Sequence, residues 1–507
     1  MEKGARVDMK KVVLLPLDER PCNYYFPYKI FNNEDINIIR PEKLGDKKKC
    51  ANVDDIAVFL KKECKTADVL ILSMDMLLYG GLIPSRLHQC SKEEIEARLE
   101  IVKQLKSENP EIKILAFQVI MRCPRYSSND EEPDYYGICG EQIHNIGNIL
   151  DRERQGLCDK SGIEELNKLV KPEYLEDYTN RRKFNLEFNM KTLEYVKYGF
   201  IDFLIIPQDD AAKYGYTAMD QVVVRDSISE ELLQDRVLMY PGADEVELTL
   251  LSRMVNIFND YYPKVYIKYA AQNAPFIIPP YEDRILGESV KSQLIAANCR
   301  LASSVSEADF VLAINCPGND IGEAIRQPVK NQGYCVERNL MEYILFIEDC
   351  IKENKPVTIG DCAYSNGGDL ELIALLNKKN LLDKVAGYAG WNTAANTLGT
   401  AIAQGVIYFY SKATSQHYDF LAGRYIEDAG YCSVVRKDIS QNHLLGLGMN
   451  YFDVKESNGA ISELVKEKLQ SFVENSLSSI GDKVKINSVY MPWRRMFEIG
   501  IEVSYKK

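Results

Sequence analysis

The sequence predicts an α/β fold with a mostly parallel sheet. Two observations support this prediction: short apolar runs recur along the chain, and amphipathic helical patterns lie between them. The runs are apolar at consecutive positions instead of alternating ones, which is typical of strands covered by helices on both faces. Strands and helices in alternation indicate the α/β class.

Nine candidate strands follow one another along the chain. They are KVVLLPLDERP from Lys11, DVLILSMDMLLYGG from Asp68, IKILAFQVIMRCPR from Ile112, DFLIIPQDD from Asp202, RVLMYPGADE from Arg236, KVYIKYAAQN from Lys264, DFVLAINCPGND from Asp309, PVTIGDCAYSNGGD from Pro356 and VAGYAGWNTAAN from Val385. Nine is one more than an eight-stranded barrel requires. We predict a (β/α)8-like (TIM-type) barrel with one extra or edge strand, and an open doubly wound parallel sheet is the alternative.

The helical patterns and their interruptions predict the domain organisation. SKEEIEARLEIVKQLKSEN begins with Ser91 and has Glu94 three residues later, which is a capping box. A mostly helical insertion at about 126–199 follows the third predicted strand and would roof a pocket at the same edge of the sheet. The strand–helix alternation ends near residue 415. We predict an α/β main domain at 1–415 and a small C-terminal α+β region at 416–507, with two helices and a terminal β-pair.

Composition and charge limit the partners. The chain of 507 residues is 46% hydrophobic and 27% charged, as in a soluble globular protein. Its net charge of −12 and the lack of dense Lys/Arg runs argue against nucleic acid and anionic membranes as partners.

Thirteen cysteines without a C-x-x-C pair indicate reduced thiols. No apolar run approaches the ~20 residues of a membrane span, and the first apolar run is short for a signal peptide. We expect a cytoplasmic protein with a small-molecule substrate; the oligomeric state is open.

Polar side chains follow nearly every predicted strand. In both candidate architectures the ligand lies beyond the carboxyl ends of the strands, so these side chains are expected to line one polar pocket. Turn formation alone explains some of them singly. The residues at these strand ends are Asp18, Glu19, Arg20, Asp75, Arg122, Gln208, Asp209, Asp210, Asp244, Glu245, Asn315, Asp361, Trp391 and Asn392.

Several reaction classes lack their motifs in this sequence. Only four histidines occur and none follows a predicted strand, which disfavours a zinc site. There is no Gly-x-Ser-x-Gly elbow, no phosphate loop and no Asp-x-Asp-x-Asp-Gly calcium loop. We expect no metal and no cofactor, although carboxylates could hold Mg²⁺.

Paired carboxylates remain as the candidate chemistry. FLIIPQDDAAKYG places Asp209 and Asp210 side by side after a buried strand, where like charges push the two pKa values apart. One acid can then donate a proton while the other stays charged, as glycoside hydrolysis requires. Both are predicted to be catalytic, with Asp210 as general acid. The alternative is that Asp210 caps the next helix. Two other functions stay open: a non-catalytic sugar- or polyol-binding protein, and a Mg²⁺-dependent hydrolase or lyase.

A second segment is predicted to contact the same substrate. In AGYAGWNTAANTLGTAIAQGVI, Asn392 and Asn396 are four residues apart and would share one helix face beside Trp391. An N-cap role for Asn392, with Trp391 in the core, is the alternative. The predicted substrate-binding residues are Asp18, Arg20, Asp75, Arg122, Gln208, Asp244, Glu245, Asp361, Trp391, Asn392 and Asn396.

Eight sequence blocks resemble a known family. LPLDERPCN, GGLIPSR, EEPDYYG, QDDAAKYG, GADEVELTLLSR, SNGGD, GWNTAANTLGTAIA and PWRRMFEI occur in this order and resemble the signature blocks of the bacterial family called domain of unknown function 4127. The resemblance covers almost the whole chain and implies no activity. A weaker similarity links the adjacent acids to barrel N-acetylhexosaminidases. It implies that Asp209 orients the acetamido group and that Asp210 is the general acid.

Overall fold

The computed structural model describes residues 9–506. The strands are β1 Lys10–Leu15, β2 Ile36–Ile39, β3 Val69–Ser73, β4 Lys113–Phe117, β5 Phe203–Gln208, β6 Val237–Pro241, β7 Lys264–Tyr269, β8 Arg300–Leu301, β9 Phe310–Asn315, β10 Gly322–Glu323, β11 Val357–Asp361, β12 Tyr364–Ser365, β13 Gly387–Ala389, β14 Val484–Tyr490 and β15 Gly500–Tyr505.

Helices fill most of the chain between these strands. They are α1 Pro21–Tyr24, α2 Phe26–Phe31, α3 Val53–Glu63, α4 Met74–Tyr79, α5 Leu82–Leu87, α6 Lys92–Glu108, α7 Tyr136–Arg154, α8 Ile163–Leu169, α9 Pro172–Lys197, α10 Tyr216–Glu230, α11 Val246–Phe258, α12 Leu286–Ala296, α13 Gln332–Cys335, α14 Leu340–Lys352, α15 Leu370–Lys378, α16 Ala394–Ser411, α17 Ser415–Arg424, α18 Arg436–Asn442 and α19 Ala460–Ser476. A π-helix at Tyr425–Val435 joins α17 to α18.

The chain folds into two compact units. Unit 1 comprises residues 9–19, 31–247 and 281–283, and unit 2 comprises residues 20–30, 248–280 and 284–506. Each unit contains its own parallel sheet. The predicted α/β class with parallel sheets is therefore confirmed.

Unit 1 is built on a six-stranded parallel sheet in the order β2-β1-β3-β4-β5-β6. Strands β3 and β5 are buried along their whole length, as their continuous apolar sequences predict. Helix α6 begins with the predicted capping box, in which the Ser91 hydroxyl accepts from the Glu94 amide and the Glu94 carboxylate accepts from the Ser91 amide. Helices α7, α8 and α9 occupy the long segment between β4 and β5.

Unit 2 contains a five-stranded parallel sheet in the order β13-β11-β9-β7-β8. In both sheets the second strand lies on one side of the first, and the later strands extend the sheet on the other side. This is the 2-1-3-4-5 order of open doubly wound sheets. The barrel prediction is not confirmed, because the strands of residues 9–506 form open sheets and none closes on itself. The open alternative agrees with the structure.

The C-terminal residues complete the core of unit 2. Strands β14 and β15 form an antiparallel pair, and a short helical turn at Pro492–Arg494 lies between them. Apolar side chains of α17, α19 and this pair share one cluster with side chains of β9 and β11. The predicted boundary at residue 415 falls inside this unit.

Two sequence properties have simple structural counterparts. All thirteen cysteines are free thiols, and most are buried in the core. In the described range 9–506, no helix combines the length and apolar character needed to cross a membrane.

Candidate functional site

Charged side chains meet beyond three neighbouring strands of unit 1. Strands β3, β4 and β5 are adjacent and parallel, so their carboxyl ends lie side by side. Arg86 lies on α5 beyond β3, Arg122 follows β4, and an acidic pair follows β5. The loop that leads into α7 adds two more acids. We call the following six residues the carboxylate cluster: Arg86, Arg122, Glu131, Glu132, Asp209 and Asp210.

Arg86 binds acids on both sides of the cluster. Its Nη2 donates to Asp209 Oδ2 at 2.6 Å, and its Nη1 donates to Glu131 Oε2 at 3.1 Å and to Glu132 Oε1 at 3.2 Å. The Arg86 side chain is only 1% exposed. A buried guanidinium with its fork held in this way is a rigid support for Asp209.

Arg122 holds the other member of the acidic pair. Its Nη1 donates to Asp210 Oδ2 at 3.0 Å and lies 3.8 Å from Asp209 Oδ2. Its Nε and Nη2 donate to Glu132 Oε1 at 2.7 Å and to Glu131 Oε2 at 2.9 Å. The two aspartates therefore share one arginine nitrogen, which keeps their carboxylates close together.

The outer oxygens of the acidic pair remain available. Asp209 and Asp210 are 19% and 18% exposed, whereas the Glu132 side chain is 1% exposed. Each aspartate uses its Oδ2 for an arginine, and within residues 9–506 neither Oδ1 takes part in a hydrogen bond. The structure therefore presents one accessible carboxylate oxygen from each residue on a rigid base.

Burial changes the proton affinity of this pair. Burial, with the charge of Asp210 as the next cause, raises the pKa of Asp209 despite the two arginines. Burial also raises the pKa of Asp210. Because burial and the neighbouring like charge disfavour full ionisation, the pKa values of the coupled pair are raised above the usual value of aspartate.

The backbone of Asp210 has an uncommon conformation. Its φ is +46°, in the left-handed region that non-glycine residues rarely adopt. Helix α10 begins only at Tyr216, after Gly215 at its N-cap position. The alternative that Asp210 caps the next helix is therefore wrong. Its side chain instead bonds to Arg122, which is consistent with a functional reason for the strained backbone.

Tyr126 lies close enough to interact electrostatically with the cluster. Arg122 lowers the pKa of this phenol, but burial together with Asp210 and Glu131 outweighs it and raises the pKa to about 12. Tyr126 therefore stays protonated at neutral pH, and the residue is 46% exposed. It can supply an aromatic edge or a hydroxyl donor beside the acidic pair.

Asp75 is buried next to the cluster. Its Oδ2 accepts from the Val119 amide at 2.9 Å. Burial raises its pKa to about 7, although the hydrogen bond and the charge of Arg86 oppose this shift. The side chain is enclosed, so this geometry supports a role beneath the site better than direct substrate contact.

The raised pKa of Asp75 predicts how stability depends on pH. The folded protein holds this proton more tightly than the unfolded chain, so its contribution to stability falls as pH rises from about 4 to 7. Asp75→Asn removes that titration. Relative to wild type, the free energy of unfolding of the variant should increase over this range and then level off. Urea unfolding at pH 5 and pH 8 measures the change; a constant difference would contradict the assignment.

Two more predicted residues, Asp18 and Asp244, lie near a buried acid that was not among the predicted residues. Glu247, on the first turn of α11, accepts the Leu17 amide at 2.8 Å through Oε1. Burial, and then the charges of Asp18 and Asp244, raise its pKa well above the ordinary value. Residues after β1 and β6 thus approach each other. Glu245 is buried and accepts the Ala243 amide at 3.0 Å. Gln208, the last residue of β5, is also buried.

Asp361 belongs to unit 2 and is enclosed by protein donors. Its Oδ1 accepts from Asn315 at 2.9 Å, and its Oδ2 accepts from the Tyr388 hydroxyl at 2.8 Å and the Asp369 amide at 2.7 Å. Arg338 binds both Asn315 and Asp369. Burial and the charge of Asp369 raise the pKa of Asp361 to about 7. We infer a structural role, because both carboxylate oxygens are used.

The tryptophan and the two asparagines also belong to unit 2. Trp391 donates through Nε1 to Thr400 Oγ1 at 3.1 Å and is buried. Asn392 has a φ of +51° and precedes α16, whose N-cap is Thr393. Asn392 and Asn396 therefore do not share a helix face, and the N-cap alternative for Asn392 is also wrong. Trp391 and Asn392 line a cavity of about 20 Å³, which has room for one water.

Arg20 is also part of unit 2. Its guanidinium lies 4.7 Å from the centre of the Trp493 ring and 3.9 Å from Glu498. Arg495 stacks on the same ring at 4.5 Å and donates to Glu498 at 3.1 Å. The predicted rim residues are thus divided between the two units.

The cluster contains three residues that the sequence did not select. Arg86, Glu131 and Glu132 lie on a helix and a loop, and none directly follows a strand. The blocks GGLIPSR and EEPDYYG contain all three, so these blocks were the available signal. In residues 9–506, no group of three or more His, Cys, Asp or Glu has an arrangement that could hold a metal ion.

Comparison with known proteins identifies the family but gives it no activity. A family model described as "Protein of unknown function (DUF4127)" matches residues 12–502. The chain belongs to this family. The match includes the whole carboxylate cluster and both sheets, as the sequence blocks predict. A comparison with curated proteins gives no match.

Proposed function

We propose that the chain is a glycoside hydrolase that acts on a small saccharide through Asp209 and Asp210. The observation that carries this proposal is the pair of accessible Oδ1 oxygens, held by two buried arginines on carboxyl groups with raised pKa values. Glycoside hydrolysis needs two carboxyl groups of which one keeps its proton near neutral pH.

The roles follow from the ion pairs. The contact between Asp209 and Arg86 is shorter than that between Asp210 and Arg122, at 2.6 Å against 3.0 Å. This difference favours negative charge on Asp209, whereas the charge of Asp210 raises the pKa of Asp209 and opposes that assignment. On the ion-pair distances we assign the shared proton of the coupled pair to Asp210. Asp210 would donate that proton to the glycosidic oxygen as the bond to the anomeric carbon breaks. Asp209 would stabilise or attack the anomeric carbon. Water then supplies the new hydroxyl group, and its other proton restores Asp210.

The substrate class rests on the groups around the pair. Tyr126 offers an aromatic edge and a phenol beside the accessible carboxylate oxygens of Asp209 and Asp210. Such groups suit the hydroxyl groups of a sugar ring. No group around the pair in residues 9–506 favours an acetamido sugar as substrate. That substrate was suggested only by the weak similarity to barrel N-acetylhexosaminidases, and the sheets of this chain are open. A cytoplasmic location is part of the proposal and rests on thirteen free thiols.

A binding protein without turnover is the second candidate. The observation that favours it is that both aspartates are already ion-paired, which stabilises their charged forms and opposes proton transfer. Sugars or polyols would then bind at the same oxygens. A Mg²⁺-dependent hydrolase or lyase is a third possibility, and it predicts loss of activity with a chelator.

A panel of chromogenic glycosides tests the proposal. The wild-type protein is incubated with aryl α- and β-glycosides of the common hexoses and pentoses, with and without EDTA. We expect hydrolysis of at least one member, unchanged by EDTA. Hydrolysis abolished by EDTA would favour the Mg²⁺ alternative. If no member is hydrolysed while one still binds, the binding-protein function is favoured.

A further inference from the structure

A pocket lies in unit 1 beside the helical insertion. It has a volume of about 520 Å³, within the range of small-molecule sites. We call it the insertion pocket, and it is lined by Lys48, Leu87, Gln89, Pro133, Asp134, Tyr135, Tyr174, Asp177 and Arg181. The lining shares no residue with the carboxylate cluster, and the proposed catalysis does not use it.

Helix α9 builds one wall of the insertion pocket. Tyr174, Asp177 and Arg181 are spaced three and four residues apart, so they lie on one face of that helix. Tyr135 stacks on Tyr174 with ring centres 4.9 Å apart and planes inclined by 10°. This wall therefore combines two aromatic rings with charged groups.

Hydrogen bonds fix the wall without a ligand. The Tyr135 hydroxyl donates to Asp177 Oδ2 at 2.7 Å, and Arg181 Nη2 donates to both oxygens of Asp177 at 2.7 and 2.9 Å. Burial opposes ionisation of Asp177, but the bonds from Arg181 and Tyr135 hold its pKa below the ordinary value. Arg181 Nη1 donates to the His88 carbonyl, while its buried Nε has no partner in residues 9–506. The wall of the pocket is therefore preorganised by hydrogen bonds within the protein.

The charges of the lining cancel. Lys48 and Arg181 face Asp134 and Asp177, so a ligand with a net charge gains little from the pocket. Tyrosine rings with several donors and acceptors suit a neutral ring that carries many hydroxyl groups. We infer that the insertion pocket binds a neutral sugar or cyclic polyol, as a site separate from Asp209 and Asp210.

Two backbone segments connect this pocket to the carboxylate cluster. Arg86 belongs to the cluster and the next residue, Leu87, lines the pocket; Glu132 and Pro133 are related in the same way. Lys48 Nζ donates to the Glu132 carbonyl at 3.0 Å. A ligand that contacts Lys48 therefore acts on the segment that positions Glu132.

Binding of defined neutral probes tests the inference. Methyl β-glucopyranoside and myo-inositol are titrated by calorimetry and by saturation-transfer NMR, with inorganic phosphate as the charged comparison. We expect at least one neutral probe to bind. Tyr174→Ala should weaken that binding roughly tenfold, the loss of one aromatic contact. Gln89→Ala, a milder change, should also weaken it.

Two control variants separate this inference from the proposed catalysis. Tyr198→Ala removes an exposed ring at the end of α9 and should leave binding unchanged. Asp209→Asn should leave unchanged the part of the binding that Tyr174→Ala weakens, because Asp209 does not line the insertion pocket. The inference is overturned if no neutral probe binds, if Tyr174→Ala has no effect, if phosphate binds more tightly than both probes, or if Asp209→Asn abolishes binding.

Discussion

Asp210→Asn is expected to lower kcat by about 10²–10⁴-fold on any glycoside that the wild-type protein hydrolyses. An amide cannot donate the proton that the glycosidic oxygen needs, while its size and its contact with Arg122 are nearly preserved. Asp209→Asn should reduce kcat by a similar order, because the positive charge that develops at the anomeric carbon loses its neighbouring carboxylate. Steady-state kinetics at the optimal pH measure both effects.

Asp220 provides a matched control for these two variants. It is also a partly exposed acid in unit 1, it pairs with buried Arg182, and burial raises its pKa. It lies on α10 and is not part of the carboxylate cluster. Asp220→Asn should leave kcat within about twofold of wild type. Full activity in both Asp209→Asn and Asp210→Asn would show that these two residues are not catalytic.

Arg122→Met is expected to reduce the free energy of unfolding by about 3–5 kcal/mol. The arginine is 9% exposed and donates to Glu131, Glu132 and Asp210. Removing it leaves the buried carboxylate of Glu132 and the partly exposed carboxylates of Glu131 and Asp210 without one of their opposite charges. Adding Glu132→Gln to Arg122→Met should restore part of the lost free energy of unfolding, because the neutral amide does not need the opposite charge of Arg122. Urea unfolding curves of the single and double variants measure both changes.

An exposed ion pair gives the comparison for Arg122. Lys291 pairs with Glu288 at 2.6 Å on α12, and both side chains are about half exposed. Lys291→Met should cost less than about 1 kcal/mol. A loss of the same small size in Arg122→Met would mean that the cluster is solvated and that its raised pKa values do not hold.

The sequence predicted the interior of both sheets. All nine predicted strands exist, as β1, β3, β4, β5, β6, β7, β9, β11 and β13. Their continuous apolar runs result from burial on both faces, and that signal is strong. In the two large parallel sheets, the strands that it missed are β2 and β8; the short strands β10 and β12, which pair with each other, were not predicted either. β2 alternates buried and half-buried residues, and β8 consists of two exposed residues.

The failure to predict β2 and β8 explains why the sequence was interpreted as a barrel. β2 pairs with β1, and β8 pairs with β7, the first strand of its own sheet. Each of the two is therefore the strand numbered 2 in the 2-1-3-4-5 order and lies at one edge of its sheet. Without them, nine parallel strands resembled one closed barrel plus an extra strand. These two edge strands are short and partly exposed, so their apolar patterns are weak. The apolar runs therefore predicted the number of interior strands better than they predicted whether the sheet closes into a barrel.

The candidate site was predicted in part for the same reason. Arg122, Asp209 and Asp210 lie where parallel strands end, so strand prediction was enough to select them. Arg86 and Glu132 approach them through a helix and a loop, whose positions depend on tertiary packing. Strand ends also select residues with structural roles. Asp361 is the last residue of β11, yet all its contacts are with protein donors.

Titration of the acidic pair tests the central claim most directly, because it needs no substrate. The protein is labelled with ¹³C at the aspartate carboxyl carbons, and NMR spectra of wild type, Asp209→Asn and Asp210→Asn are compared across pH. We expect a carboxyl resonance that is lost or shifted in both variants and that titrates in wild type well above the ordinary aspartate pKa of about 3.9. Two carboxyl groups that titrate independently near that ordinary value would contradict it.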